Sequence, residues 1–300
     1  MHANFFTGNP LDRVSALRDD AAVMLALRDD PSSRFLPVWR DQHLMRHDAL
    51  RVAMPSREAL IAELGPIEAH PSVLLGLRDE RALFALDLSK LEEPQTQGIK
   101  LGHFEPLRPL APLLPTDEAA ILAQARGMLH WRRLNVFCGR CASRTNPEQG
   151  GSRLVCPNCG LQQFPRTDPV AIMLVHHEGR ALLARGTRFP GRRLFSALAG
   201  FIEPGESAEE AVARETFEET GIRLARIDYH SSQPWPFPGS LMLGFLAEAT
   251  GHALTLDPAE IAEAHWLTPT ELRDPAHLDI ELPGPIAIAR SLIDAWLAAQ

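Results

Sequence analysis

Long apolar runs are missing from this 300-residue chain: no stretch approaches the 18 or so uninterrupted residues a membrane-spanning helix needs. Long basic runs are missing too, and the net charge is −8, which excludes broad electrostatic attraction to nucleic acid as the basis of function. Recognition of a single nucleotide end stays open. The opening residues, MHANFFTGNPLDR, lack a charged segment leading into an apolar core, so no secretory leader is expected. The last residues, Leu-Ala-Ala-Gln, carry no address signal. Cysteine is scarce and not scattered. All 4 lie between Cys138 and Cys159, which argues against a disulfide framework and for a reducing compartment, with the cytoplasm expected. A 45% hydrophobic content is enough for sizeable cores.

Those cysteines form two C-x2-C knuckles, Cys138-Gly-Arg-Cys141 and Cys156-Pro-Asn-Cys159. A redox pair would explain one knuckle and leave the other unexplained. Four thiolates at this spacing close a tetrahedral structural zinc site of the zinc-ribbon kind, with no open position for catalysis. The ribbon is expected to brace the larger domains on either side.

The chain is organised around Gly200–Ile222, GFIEPGESAEEAVARETFEETGI. Ser207 and Glu210 form an S-x-x-E capping box that starts a helix near Ala208, and Gly221 supplies its stop. Glu215, Glu218 and Glu219 then stand at i, i+3 and i+4 on one face, which also carries Ala208, Ala211 and Val212. Close carboxylates repel one another unless a cation sits among them, and hard oxygen ligands suit Mg²⁺ or Mn²⁺ acting on a phosphate substrate. On the helix pattern alone, an acidic surface helix remains the competing reading.

The full spacing, G-x5-E-x7-R-E-x2-E-E-x-G, resembles the Nudix box, the signature of hydrolases that cleave nucleoside diphosphates linked to another group. Thr216 departs from that pattern, standing where the family has an aliphatic residue. Beyond the box, Ser232-Gln-Pro-Trp-Pro-Phe-Pro-Gly-Ser240 has prolines dense enough to exclude a normal strand. It is expected to be a rigid loop presenting Trp235 and Phe237 for stacking on flat rings, or else aromatics that plug the core. SQPWPFP-x-S is similar to the motif of the NADH pyrophosphatase subfamily. The order of N-terminal domain, four-cysteine module and Nudix domain is also that subfamily's.

This resemblance implies hydrolysis of the NAD(H) pyrophosphate to nicotinamide mononucleotide and AMP, removal of NAD caps from RNA 5′ ends, and a homodimer. It carries metal binding to Glu215, Glu219 and Glu260, with Glu218 as a companion carboxylate and Ala199 contributing its carbonyl. It carries substrate binding to Ala199, to Phe201 by stacking, to Gln233, Pro234, Trp235, Pro236, Phe237, Pro238, Gly239 and Ser240 in the loop, and to Ala289. Phe164 stands where bacterial members have a tyrosine. Arg214 is expected to orient the glutamates, and Glu218 or Glu219 to take the proton of the attacking water. Arg192 and Arg193 could approach an RNA backbone. Two rivals remain: a broader Nudix hydrolase acting on ADP-ribose, and a zinc-ribbon RNA-binding protein with an inert Nudix fold.

The fold class expected is α+β, and the chain divides into residues 1–115, a connecting helix over 116–133, a zinc ribbon over 134–165 and a Nudix domain over 166–300. In that last domain, strands at 170–176, 180–185, 224–230, 241–248 and 263–267 interleave with two helices as an α/β/α sandwich on a mixed sheet. The second helix is placed at Pro285–Leu297. The hairpin of 72–77 and 81–86 resembles that of 171–175 and 180–184, so the first domain is read as a degenerate copy of the second without its catalytic helix. Proline-rich 105–115 reads as a linker, and Ala21–Leu27 as a short buried run.

Overall fold

A computed structural model describes residues 4–93, 98–187 and 191–300. Among the described residues two compact units emerge: one lies within 6–166 together with 236–239, the other comprises Asn4 and Phe5 with residues of 167–235 and 240–300.

In the first unit a 5-stranded sheet runs β3-β4-β1-β2-β5. Its strands are β1 Arg34–Trp39, β2 Gln42–Met45, β3 Ser72–Arg78, β4 Arg81–Asp87 and β5 His103–Pro106. The expected 72–86 hairpin is present, turning at Asp79 and Glu80, both with positive φ. Helices α1 Ala21–Asp29, α2 Arg57–Leu64 and α3 Thr116–Leu134 complete the unit. The Ala21 run is therefore helical, capped by Asp20, and buries only Met24. Helix α3 follows Pro115 without a side-chain cap, and Asp117 and Glu118 meet the dipole in its first turn. The proline-rich stretch is not a free linker. It folds into β5 and tight helical turns because Leu107 and Ala111 are buried between the prolines.

The cysteine module belongs to this unit, as a small sheet of β6 Asn146–Glu148, β7 Arg153–Val155 and β8 Gln162–Gln163. Arg18 joins it to the strands, donating to Gln149 O at 3.2 Å and Leu74 O at 3.0 Å.

The second unit is built on the order β12-β13-β9-β10-β14, with β11 also paired to β9. The strands are β9 Asp168–His177, β10 Arg180–Gly186, β11 Leu198–Phe201, β12 Leu224–Trp235, β13 Ser240–Ala249 and β14 Ile261–Leu267. All five expected strands are present, and β11 is additional. Successive strand residues face opposite ways, so β9 divides itself between two cores. Ala171, Met173 and Val175 pack with Ala211 and Val212 of helix α4, Ala208–Thr220, on one face. Ile172 and Leu174 pack with Leu292, Ile293 and Trp296 of helix α5, Ile288–Ala298, on the other. Burying each such large side chain contributes about 1.5–3 kcal/mol, which pins both helices to a mixed sheet in the expected sandwich. Helix α5 begins three residues later than expected.

The two larger sheets share one connectivity. Hairpin β1–β2 corresponds to β9–β10, parallel pairing links β1 to β4 as it links β9 to β13, and hairpin β3–β4 corresponds to β12–β13. The hairpin matched by sequence was thus the wrong one: residues 72–87 correspond to β12–β13. Helix α2 sits in the chain where α4 does, so the helix persists while its glutamate pattern is absent.

Candidate active site and zinc module

The local signals around α4 are realised in full. Ser207 Oγ accepts from Glu210 N at 3.2 Å while the Glu210 carboxylate accepts from Ser207 N at 2.7 Å. Gly221, at φ 73, ends the helix. Its apolar face sinks into the core, carrying Glu219 to 6% exposure, while Glu215 lies at the margin.

A third carboxylate arrives from outside the helix. Thr255 N donates to Thr220 O at 2.8 Å and Asp257 N to Glu219 O at 3.1 Å, so the last carbonyls of α4 are capped by the segment before β14. The turn Asp257–Glu260 then delivers Glu260. One oxygen from each of Glu215, Glu219 and Glu260 lies within 4.8 Å of the others. Oxygens around Mg²⁺ at about 2.1 Å stand roughly 3 Å apart in cis and 4.2 Å in trans, so this donor set fits a hard divalent ion.

Glu218 is not brought into that cluster. Its carboxylate lies on the exposed rim and accepts from Arg214 Nη1 at 3.0 Å. Arg214 makes the ion pairs expected of it. Nη1 donates to Glu215 Oε1 at 2.8 Å, Nε and Nη2 engage Glu206 at 2.8 and 2.9 Å, and Nη2 also reaches Phe201 O at 3.0 Å. These hydrogen bonds, chiefly to Glu206, hold the Arg214 guanidinium firmly protonated, and the same fork lowers the Glu206 carboxyl to about 2. The role of Glu206 was missed in the sequence, although it occupies a fixed box position eight residues before Arg214.

Ala199 is exposed on β11, beside Gly200, and Phe201 is 58% exposed on the same strand. Ala289 is buried in the first turn of α5. Gln233 is buried, its amide donating to Ile286 O at 2.9 Å while its oxygen accepts from Ile288 N at 2.9 Å, which ties β12 to the start of α5. The proline-rich loop departs from expectation. Gln233, Pro234 and Trp235 continue β12, pairing with Met242, Leu241 and Ser240. A proline is tolerated there because β12 is an edge strand, with one side of its backbone unpaired in the sheet. Only Pro236–Gly239 forms the tip. Phe237 is not presented bare: its ring and that of Phe6 form a T-shaped pair with centroids 5.9 Å apart, and the guanidinium carbons of Arg126 and Arg108 lie 5.2 and 5.8 Å from its centre. Phe164 is 54% exposed at the end of the cysteine module. Arg192 pairs with Glu281, and Arg193 with Glu263 and Asp279.

The sulfurs of Cys138 and Cys159 lie 3.6 Å apart, Cys141 and Cys156 3.4 Å, and Cys141 and Cys159 3.6 Å. That is far beyond a disulfide bond and close to the edge of about 3.8 Å in a tetrahedron of thiolates around zinc. Hydrogen bonds from the Ser143 side chain and backbone, then Asn158, lower the Cys141 thiol to about 5, favouring the ligand form.

Comparison with known proteins agrees with this geometry. A NUDIX domain family matches residues 165–284, an NADH pyrophosphatase zinc ribbon domain residues 133–164, and an NADH pyrophosphatase-like rudimentary NUDIX domain residues 32–131. The NAD-capped RNA hydrolase NudC of Stutzerimonas stutzeri is 39% identical over 74% of this chain and 86% of its own. The human NAD-capped RNA hydrolase NUDT12 is 32% identical over 98% of this chain and 73% of its own. Nudix hydrolase 19, chloroplastic, of Arabidopsis thaliana is 36% identical over 82% of this chain and 69% of its own. With its carboxylate cluster, four-sulfur module and repeated sheet in place, this chain belongs to the NADH pyrophosphatase family of Nudix hydrolases.

Proposed function

We propose that the protein hydrolyses the pyrophosphate of NAD(H), giving nicotinamide mononucleotide and AMP, and that it removes NAD caps from RNA 5′ ends. The observation that carries this reading is the convergence of Glu215, Glu219 and Glu260 oxygens within 4.8 Å, in a chain whose relatives bear the name NAD-capped RNA hydrolase. Mg²⁺ or Mn²⁺ bound there would offset the charge of the pyrophosphate and acidify a water. Glu215, Glu219 and Glu260 supply the ligands, joined in our reading by the Ala199 carbonyl. Arg214 fixes the Glu215 carboxylate, and Glu218 on the rim, or Glu219, accepts the water proton. Phe201, Phe164, Ala289 and the loop from Gln233 to Ser240 bind the dinucleotide.

The cysteine module holds one structural zinc, and the division at 115, 133 and 165 describes the functional parts of the chain. Among the described residues no helix is long and apolar enough to cross a membrane. A cytoplasmic homodimer is the setting we favour. Mass spectrometry of products from NADH and, separately, from ADP-ribose, each with Mn²⁺ and with Glu219→Gln as control, tests the proposal. Equimolar reduced nicotinamide mononucleotide and AMP, lost in the variant, are expected. Intact NADH beside cleaved ADP-ribose would replace the substrate, and intact samples of both would sink the reading.

A further inference from the structure

The tip of the proline-rich hairpin has an anchoring problem that begins in its sequence. Pro234, Pro236 and Pro238 carry no N–H, so among residues 234–238 only Trp235 and Phe237 can donate from the backbone. The carbonyls outnumber the donors, and a buried carbonyl without a partner is costly. Pro236 is buried, and its carbonyl is met by a side chain: Arg126 Nε donates to Pro236 O at 2.6 Å.

Arg126 lies on α3, with a side chain only 14% exposed. Its other nitrogens are spent on one residue. Nη1 donates to Asp41 O at 2.8 Å and Nη2 to Asp41 Oδ2 at 3.2 Å. Asp41 occupies the tight turn between β1 and β2, where Arg40 and Asp41 both take positive φ, a conformation that turns the Asp41 carbonyl and carboxylate to the same guanidinium. Arg133 grips the other Asp41 oxygen, and its Nη1 bonds Ser89 Oγ at 2.8 Å. The Arg126 guanidinium also lies over the Phe237 ring. A planar, rigid fork does this work; a lysine ammonium would satisfy one partner at a time.

We propose that Arg126, held by Asp41, is a positioning residue for substrate: it fixes the Pro236–Gly239 tip and thereby sets dinucleotide affinity, leaving the hydrolytic step to the glutamates. This rests on the reading of the Gln233–Ser240 loop as the dinucleotide-binding element. Neither residue carries any signal in the sequence, since Asp41 and Arg126 are 85 positions apart.

The test is steady-state hydrolysis of NADH with Mn²⁺ by the full chain and by Arg126→Ala, Arg126→Lys and Asp41→Asn, each first checked for a cooperative melt. Arg126→Ala is expected to raise KM about tenfold or more with kcat within about threefold, as for loss of binding shared equally by the ground and transition states. Arg126→Lys should fall between the two, and Asp41→Asn should raise KM about two- to fivefold. A residue that only stabilised the fold would reduce the active fraction, lowering kcat at constant KM. Should Arg126→Ala fail to fold, Asp41→Asn decides, because it keeps the Asp41 carbonyl contact and loses only the carboxylate. Unchanged KM in a folded variant overturns the inference while the wild type still cleaves NADH. A wild type inert toward NADH overturns the functional reading, and this inference with it.

Discussion

Gly200 and Glu215 compete for one space. A Cβ on Gly200 would stand 1.8 Å from the Glu215 carboxyl carbon and 2.0 and 2.2 Å from its oxygens. The glycine that opens the box is thus a steric requirement of the carboxylate fifteen residues on. Because the atoms that must yield are the end of a flexible side chain, Gly200→Ala is expected to fold with a melting temperature within a few degrees of wild type. The displaced carboxylate leaves the cluster with Glu219 and Glu260, and kcat should fall about 100-fold or more, on the scale of losing one preorganised electrostatic contact. Near-normal kcat in a folded variant would show that Glu215 does not act from this position.

Thr216 makes a prediction of opposite sign. It is fully buried, and its Oγ1 has no hydrogen-bond partner among the described residues, so the departure from an aliphatic residue buries a hydroxyl without compensation. Thr216→Val keeps the shape and removes the desolvation cost. Unfolding in urea should show stability raised by about 1 kcal/mol. A destabilised valine variant would mean that the hydroxyl is satisfied in solution.

What the sequence disclosed follows how local each signal is. The start and stop of α4 depend on Ser207, Glu210 and Gly221, all within a turn of what they control, and both stand as read. The cysteine knuckles needed only spacing. Glu260 was different: by residue type it is a surface glutamate, and it joins Glu215 only because backbone bonds from Thr255 and Asp257 cap α4. β1 was hidden by Pro37, which a central strand ordinarily excludes; here it precedes the first pair with β2, at Val38 and His43, and so interrupts no ladder on that side. Pro234 misled in the same way at an edge. Proline density reports missing donors, and whether a donor is missed depends on neighbours the sequence does not place.

Zinc in the cysteine module should be removable only at the cost of the fold around it. The sulfur separations of 3.4 and 3.6 Å leave thiolates that repel one another once the ion is gone. Metal analysis of purified protein should find about one zinc per chain. Cys141→Ser should abolish that zinc and lower the melting temperature by several degrees. Full zinc content in the serine variant would assign the metal to another place.

Acid should destabilise the first unit through His43. This residue is completely buried on β2, and neither ring nitrogen has a hydrogen-bond partner among the described residues. Burial, followed by the charge of Arg126, opposes the imidazolium; Asp41 favours it, and Arg133 adds a smaller opposition; the balance pushes the folded pKa from 6.5 down to about 3. Below pH 6.5 the unfolded chain therefore takes up a proton that the folded chain refuses. The sign is fixed: stability from this group is complete above that pH and is lost on acidification, levelling off near pH 3. One proton sets the steepest slope at about 1.4 kcal/mol per pH unit. His70, His130 and His176 are also held low by burial and add to the same trend, so the diagnostic quantity is the difference between wild type and His43→Leu. Denaturant unfolding at pH 7, 6 and 5 should show wild type losing stability faster than the leucine variant. Parallel pH dependences in the two proteins would mean that His43 is solvated or partnered in solution, and that the packing of β2 around it is looser than its geometry indicates.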